Sequence, residues 1–133
     1  MCIFCQIASG EIPSHKIYED ESVIAFFDIQ PTSYGHALVV PKKHFDSFLT
    51  CDPETLHHVF EVAQALANRF KDTLNCDGVN ILSNCGSAAG QSVEHFHVHI
   101  IPRYEDSPKE NINIQFNEIG TVDFESLLAN VKR

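Results

Sequence analysis

The segment that most constrains the fold is residues 95–101, which read HFHVHII. Successive side chains of a β-strand point to opposite faces of the sheet, so a strand here separates three histidines from Phe96, Val98 and Ile100. The apolar face can be buried in a core. We therefore expect a strand over residues 95–102 that is anchored in the domain and presents three imidazoles on its other side.

The three histidines of this strand, His95, His97 and His99, indicate a reaction centre. Imidazole can act near neutrality as a base, a nucleophile or a metal ligand. A single metal held by all three is disfavoured, because His95 and His99 would lie about 13 Å apart along a strand, while zinc binds imidazole nitrogen at about 2.0–2.1 Å. Two neighbouring histidines could still share one. The spacing therefore divides the roles, and His97, with a histidine on either side, is the expected chemical centre.

Composition excludes several classes of partner. A chain of 133 residues is long enough for one domain with a substantial core. The net charge of −9 argues against a nucleic-acid polymer or an anionic membrane as the main partner, although a small anionic substrate remains compatible. Neither a secretory signal nor an apolar run of about 20 residues is visible. Five cysteines argue against a disulfide framework, so a cytoplasmic location is expected.

Five segments are predicted to form β-strands. Each is a short run containing β-branched or aromatic residues. Pro41 closes the third, because proline cannot continue a central hydrogen-bonded ladder. Strands grouped around one long helix, with short connections, favour an antiparallel sheet of the α+β class over a parallel one. The predicted strands cover residues 16–20, 22–28, 35–41, 77–84 and 95–102.

The sequence also predicts one long and one short helix. Asp52 is a typical N-cap and Pro53 suits the first helical position, so a helix is expected to begin there and to end near Asn75. Its apolar residues recur at the spacing of a buried helical stripe. A short terminal helix, capped by Thr121 or Asp123, is predicted from the spacing of Phe124, Leu127, Leu128 and Val131.

A loop of small residues over positions 84–92, with the sequence NCGSAAGQS, precedes the histidines. Backbone N–H groups in such a loop can approach an anion closely, and Gln91 and Ser92 add side-chain donors. Taken alone, the pattern fits an ordinary surface loop. Its position beside the histidines favours phosphate binding.

The spacing Cys2-x-x-Cys5 near the N-terminus has three interpretations: a metal pair, a redox pair or two unrelated thiols. A thioredoxin-type redox motif follows a strand, and no strand is predicted upstream. A zinc site would need two further ligands. Spacing alone leaves the candidates for these ligands open: His15, His44, His95, Cys76 and Cys85.

These motifs together resemble the signature of the histidine triad (HIT) family of nucleotide-binding proteins. The resemblance is carried by residues 90–103 and extends to residues 2–5, 28–31, 35–44 and 80–84. It is greatest for small bacterial-type proteins of the Hint branch. We expect one HIT domain over residues 1–133, in which residues 103–133 are a C-terminal extension without a family motif.

The resemblance implies a fold and an activity. The implied fold is α+β, with a five-stranded antiparallel sheet, one long helix and a short C-terminal helix, in a homodimer whose sheets are joined. The implied activity is hydrolysis or transfer at the α-phosphate of purine nucleoside phosphoramidates or other adenylated compounds, through a nucleotidyl-histidine. A dinucleoside polyphosphate hydrolase is the nearest alternative. A nucleotide-binding scaffold protein with little turnover is an alternative of another class.

The resemblance also assigns roles to individual residues. The nucleophile corresponds to His97, the histidine that contacts the phosphate or the leaving group to His99, and the residue that helps the leaving group depart to Ser92. Structural zinc, which the chemistry does not require, would be held by Cys2, Cys5, His44 and His95. The implied substrate-binding residues are Asp28, Ile29, His36, Asn84, Gln91, Ser92 and His99.

Overall fold

The computed structural model describes residues 2–107 and 116–132 of the chain. A short helix comes first, followed by three strands, a long helix, two further strands and a terminal helix. Single 3₁₀ turns lie at Phe48–Thr50 and Ser87–Ala89. The elements are α1 (Ile3–Ala8), β1 (Lys16–Glu19), β2 (Val23–Phe27), β3 (Ala37–Pro41), α2 (Pro53–Leu74), β4 (Gly78–Leu82), β5 (Val98–Arg103) and α3 (Phe124–Val131).

The five strands form one sheet in the order β1-β2-β3-β5-β4, and every neighbouring pair is antiparallel. The last strand of the sequence is therefore inserted between β3 and β4, in the interior of the sheet and next to the edge strand β4. This confirms the predicted α+β class with a five-stranded antiparallel sheet. It also places the histidine-bearing strand where it has a partner on both sides, which fixes its backbone on both edges.

The two faces of the sheet are covered by different helices. On one face, the apolar stripe of α2 packs on a core that includes Val39, Phe96 and Ile100, all fully buried. On the other face lies a smaller cluster around Phe4 of α1 and Phe26 of β2. Alternation along β2 explains the division, because Val23 and Ala25 belong to the first cluster while Ile24 and Phe26 belong to the second.

Helix α2 has the boundaries that its sequence predicts. The Asp52 carboxylate accepts a hydrogen bond from the Thr55 backbone N–H at 2.8 Å, and Pro53 occupies the first turn. The helix ends at Asn75, which takes the left-handed conformation with φ 54°. These signals are local, which is why the sequence alone reveals them.

The strand predicted over residues 95–102 begins only at Val98. The β3–β5 ladder ends at the pair Val39 and Val98, because Pro41 lacks the N–H that would continue it. The backbone of Phe96 instead donates to the Phe45 carbonyl at 2.6 Å. The alternation of side chains nevertheless persists, since Phe96 and Val98 both lie in the core.

Of the two terminal helices, only the C-terminal one is predicted from the sequence. Helix α1 was not predicted, since six residues are too few for a clear amphipathic period. Helix α3 does form, with Asp123 as its N-cap, and all of its residues are exposed. Residues 108–115 and Arg133 of the predicted extension lie outside the described residues. Among the described residues, no helix is long and apolar enough to cross a membrane.

Candidate active site and metal centre

His97 lies at the point where the chain enters β5, and only 5% of its surface is exposed. Its Nδ1 is 2.6 Å from the backbone carbonyl of His95. A carbonyl can only accept, so Nδ1 carries the proton and the Nε2 lone pair is left available. Burial lowers the pKa of His97 below its usual value. At pH 7 this side chain is thus a neutral imidazole whose nucleophilic nitrogen is fixed.

His99 is oriented by a hydrogen-bonded relay. The backbone N–H of Thr32 donates to His36 Nδ1 at 3.0 Å, so the proton of a neutral His36 is on Nε2. This Nε2 lies 3.0 Å from His99 Nδ1, which must accept the proton. His99 therefore carries its own proton on Nε2. The two triad histidines offer complementary groups: a lone pair on His97 and an N–H donor on His99.

Burial is the main reason that His99 stays neutral. Burial lowers its pKa to about 4, and the neighbouring His97 and His36 add to this effect, while Asp28 opposes it. Burial also lowers the pKa of His36, against the pull of the Asp28 carboxylate 3.8 Å away. The neutral form of His99 thus persists well below neutral pH, and burial favours the neutral form of His36 as well.

The histidines open into a cavity of about 360 Å³, which is within the range of small-molecule sites. The structure brings five of the sequence-predicted residues to its lining: Asp28, Ile29, Ser92, His97 and His99. The rest of the wall is mainly apolar and includes Ile3, Phe4, Ile7, Phe26, Leu38 and Val93. A polar end at the histidines and an apolar wall suit a ligand with both an anionic and a flat apolar part.

Three residues expected to bind substrate do not line this cavity. His36 is buried behind His99 and can act on a ligand only through it. The Gln91 amide is engaged by backbone, accepting from the Gly86 N–H at 2.8 Å and donating to the Asp46 carbonyl at 2.7 Å. Asn84 donates to the Gly90 carbonyl. Both amides therefore brace the loop, and their contact with substrate stays a prediction.

The apolar wall contributed by α1 was missed by the sequence analysis. Ile3, Phe4 and Ile7 come from this helix, and only the spacing of Ile3 and Ile7 hinted at a helical face. Phe4 is the most buried of the three, with 7% of its surface exposed. Its place in the wall depends on chain segments far apart in sequence.

A second cluster of reactive side chains joins the N-terminus to the start of the histidine segment. The metal-binding atoms of Cys2, Cys5, His44 and His95 all lie within 4.8 Å of one another. All five cysteines of the chain are free thiols. The structure therefore separates His95, in this cluster, from His97 and His99 at the cavity.

The donor set fits a tetrahedral metal ion with two sulfur and two nitrogen ligands. The Nδ1 atoms of His44 and His95 are 3.2 Å apart, and Cys2 Sγ is 3.2 Å from His95 Nδ1. Tetrahedral zinc, with bonds of about 2.1 and 2.3 Å, requires about 3.4 Å between two nitrogens and about 3.6 Å between sulfur and nitrogen. The observed spacings need only small expansion.

The outer nitrogens of both cluster histidines support the same conclusion. His95 Nε2 donates to the Pro41 carbonyl at 2.8 Å, and His44 Nε2 donates to Asp46 at 3.0 Å. Each interaction leaves the Nδ1 lone pair of a neutral ring for a metal. These are the partners that metal-ligating histidines generally have in proteins.

A second group, Asp28, His36 and His99, has a similar spacing but a different protonation pattern. A metal on His36 Nε2 would move the ring proton to Nδ1. That nitrogen already accepts the Thr32 N–H, so two donors would face each other at 3.0 Å. The group therefore suits a hydrogen-bonded relay rather than a metal.

The fold and this paired arrangement of histidines define a class of small α+β proteins with a histidine-lined pocket. The HIT domain family model matches residues 9–106. An uncharacterized HIT-like protein of Methanocaldococcus jannaschii is 44% identical over 132 residues, which is 99% of each chain. The chain belongs to the HIT family, as its motifs predicted.

Two further relatives carry informative names. A zinc-bound histidine triad family protein from Mycobacterium smegmatis has a solved structure with a TM-score of 0.75 and 42% identity, covering 78% of this chain and 76% of its own. An adenylylsulfatase of Arabidopsis thaliana is 38% identical over 104 residues, covering 78% of this chain and 53% of its own length. These comparisons place the chain among nucleotide-binding and nucleotide-hydrolysing HIT proteins at the level of the family.

Proposed function

We propose that this protein cleaves adenylated compounds, purine nucleoside phosphoramidates in particular, at the α-phosphate through a nucleotidyl-His97 intermediate. The observation that carries the proposal is the pairing of tautomers at the cavity. The His95 carbonyl leaves a lone pair on His97 Nε2, while His36 leaves a proton on His99 Nε2. A nucleophile and a proton donor, both neutral at pH 7, therefore face one ligand site.

The cavity supports an adenylyl group as the part that is recognised. Its apolar wall, which includes Phe26 and Leu38, offers contacts for a purine base. The Asp28 carboxylate lines the same cavity and can accept hydrogen bonds from a ribose diol. Ile29, 81% exposed, stands at the rim and would be covered by a bound nucleoside. The name of the adenylylsulfatase relative is consistent with this recognition.

The reaction proceeds in two displacements. In the first, His97 Nε2 forms a bond to the α-phosphorus as the bond to the leaving amine or oxygen breaks, and the leaving group takes a proton from His99 Nε2 or the Ser92 hydroxyl. In the second, water attacks the phosphorus and returns its proton to the group that protonated the leaving group, His99 Nε2 or the Ser92 oxygen, and the nucleoside monophosphate is released. The electron pair of the phosphorus–nitrogen bond returns to His97, which restores the free imidazole.

Ser92 and His99 are the charge-stabilising groups that this proposal uses. Several N–H groups of the preceding loop are bonded within it, since Ala89 and Gln91 both donate to the Gly86 carbonyl. Gln91 holds this loop against the Asp46 carbonyl and thereby positions Ser92 at the cavity. The resulting donors are fixed before substrate binds, which favours stabilisation of a developing phosphoryl charge.

We further propose that Cys2, Cys5, His44 and His95 hold structural zinc. The donor set and the spacings support this site, and the zinc-bound relative is consistent with it. Bound there, zinc would tether the N-terminal segment to the chain before His97. The chemistry above uses only protein side chains, the substrate and water.

A homodimer is the proposed assembly. Strand β4 is an open edge of the sheet, and Ile81 on it is 43% exposed. Helix α3 exposes a stripe formed by Phe124, Leu127, Leu128 and Val131. Open edges and apolar stripes of this kind are generally covered in solution. Light scattering coupled to gel filtration should give twice the 14.9 kDa chain mass, and a monomer at micromolar concentration would contradict the assembly.

The test of the function is a comparison of specificity constants on an adenosine phosphoramidate and on a diadenosine polyphosphate. We expect the phosphoramidate to be the better substrate. The opposite preference would identify a dinucleoside polyphosphate hydrolase. Tight nucleotide binding without turnover of any adenylated compound would overturn the catalytic proposal and favour a nucleotide-binding scaffold protein.

A further inference from the structure

Helix α1 belongs to two sites at once. Its Ile3, Phe4 and Ile7 line the cavity, while Cys2 at its N-cap and Cys5 in its first turn belong to the metal-binding cluster. A helix of six residues is not stable alone. Side-chain hydrogen bonds from Cys2 and Cys5 join this helix to the distant His44 and His95.

Phe4 is the side chain through which the two sites touch. Its ring centroid is 5.0 Å from that of His97 and 5.9 Å from that of His95, with both rings edge-on to it. On its other side it lies 5.7 Å from Phe26. A close-packed ring with three neighbours transmits a displacement to all of them.

The backbone makes a second link between the sites. His95 offers Nδ1 to the metal-binding cluster, while its carbonyl accepts the Nδ1–H of His97 at 2.6 Å. The residue that would be fixed by metal binding therefore also fixes the tautomer of the proposed nucleophile. Both links lead from the cluster toward the same ring.

We propose that metal binding at the Cys2–Cys5–His44–His95 cluster and nucleotide binding in the cavity strengthen each other, with Phe4 as the positioning residue that couples them. The proposal rests on the proposed nucleotide site. Bound to this cluster, a metal would hold α1 in the position in which Phe4 packs against His97 and completes the apolar wall. A nucleotide against that wall holds α1 in the position in which both cysteines face the metal.

Coupling between two ligands is reciprocal, so it can be measured from either side. The first measurement is the dissociation constant of AMP, determined by calorimetry for zinc-loaded and zinc-free protein. The second is the dissociation constant of zinc, determined by competition with a chromophoric chelator, with and without saturating AMP. We expect zinc to tighten AMP binding on the order of tenfold, and AMP to tighten zinc binding by the same factor.

The variant Phe4→Leu removes the ring contacts but keeps an apolar side chain on α1. We expect its zinc affinity without nucleotide to stay within about twofold of the parent. The factor by which zinc and AMP tighten each other's binding, here called the mutual effect, should fall to nearly one. Ile3→Val is the matched control, since Ile3 lies on the same helix and the same cavity but makes no ring contact with His95 or His97. It should retain the mutual effect. In Cys5→Ser, added zinc should leave AMP affinity unchanged, which shows that zinc does not act through the nucleotide.

The measurements distinguish failure of the coupling from failure of the proposed nucleotide site. Equal AMP affinity with and without zinc would overturn the coupling and leave the nucleotide site intact. No AMP binding to either form would overturn the proposed function itself. If zinc removal unfolds the chain, the measurement is instead the rate at which a chelator extracts zinc from the loaded protein. AMP should slow this extraction more in the parent than in Phe4→Leu. Equal protection in the two proteins would overturn the role of Phe4.

Discussion

Replacement of His97 by alanine should abolish turnover of an adenosine phosphoramidate, with kcat lowered about 10⁴-fold or more. Loss of a covalent nucleophile removes the intermediate itself, and single substitutions of that kind cost factors of this size or larger. The effect should fall on kcat, because the apolar wall and Asp28 that bind the nucleoside remain in place. Steady-state kinetics on purified protein provide the measurement.

His57→Ala is the control for this experiment. His57 lies on α2 with 78% of its side chain exposed and is not part of the cavity lining, so its substitution should leave kcat unchanged. Circular dichroism and the melting temperature of His97→Ala should show that the fold is retained. Turnover of His97→Ala within about tenfold of the parent would mean that another group attacks the phosphorus, and the nucleotidyl-His97 intermediate would have to be abandoned.

The parts of the fold that the sequence predicts are those set by local chemistry. Asp52 and Pro53 specify the start of α2 within a single turn, and Asn75 ends it by a backbone conformation that few other residues adopt readily. The separation of His95 from His99 likewise follows from the rise of an extended chain. Such predictions need no knowledge of what packs against the segment.

The parts that escape prediction depend on contacts between distant segments. His36 reaches His99 across 63 residues, and the tautomers of both rings follow from the Thr32 N–H, which no spacing rule reveals. Phe4 contacts His97 only because α1 folds against the second face of the sheet. The family resemblance supplied the residue types of the site. The protonation states follow from the hydrogen bonds.

The difference between local signals and distant contacts also explains why only part of the predicted histidine-bearing strand is formed. The two-residue period of an extended chain correctly predicts which side chains enter the core, because burial requires only that side chains alternate between two faces. Where the ladder ends depends on the partner strand, in which Pro41 removes a donor. Because His95 and His97 lie before the start of the ladder, the His95 carbonyl can accept a hydrogen bond from His97 Nδ1.

Replacement of Cys5 by serine should abolish stoichiometric zinc binding and lower the melting temperature by on the order of 10 °C. Serine has nearly the same shape as cysteine, so packing is preserved, but a neutral hydroxyl is a far weaker zinc ligand than a thiolate. The loss reflects the binding free energy that a structural metal contributes to the folded state. Elemental analysis of protein purified without added metal should give about one zinc per parent chain and almost none for the variant.

Cys85→Ser is the matched control, because Cys85 is a free thiol in the loop before the histidines and lies outside the metal-binding cluster. It should keep full zinc content and a melting temperature within about 2 °C of the parent. The same decrease in melting temperature for both variants would assign the effect to thiol chemistry in general. A zinc content near zero in the parent would remove the structural metal, whereas full zinc content in Cys5→Ser would place it at other ligands.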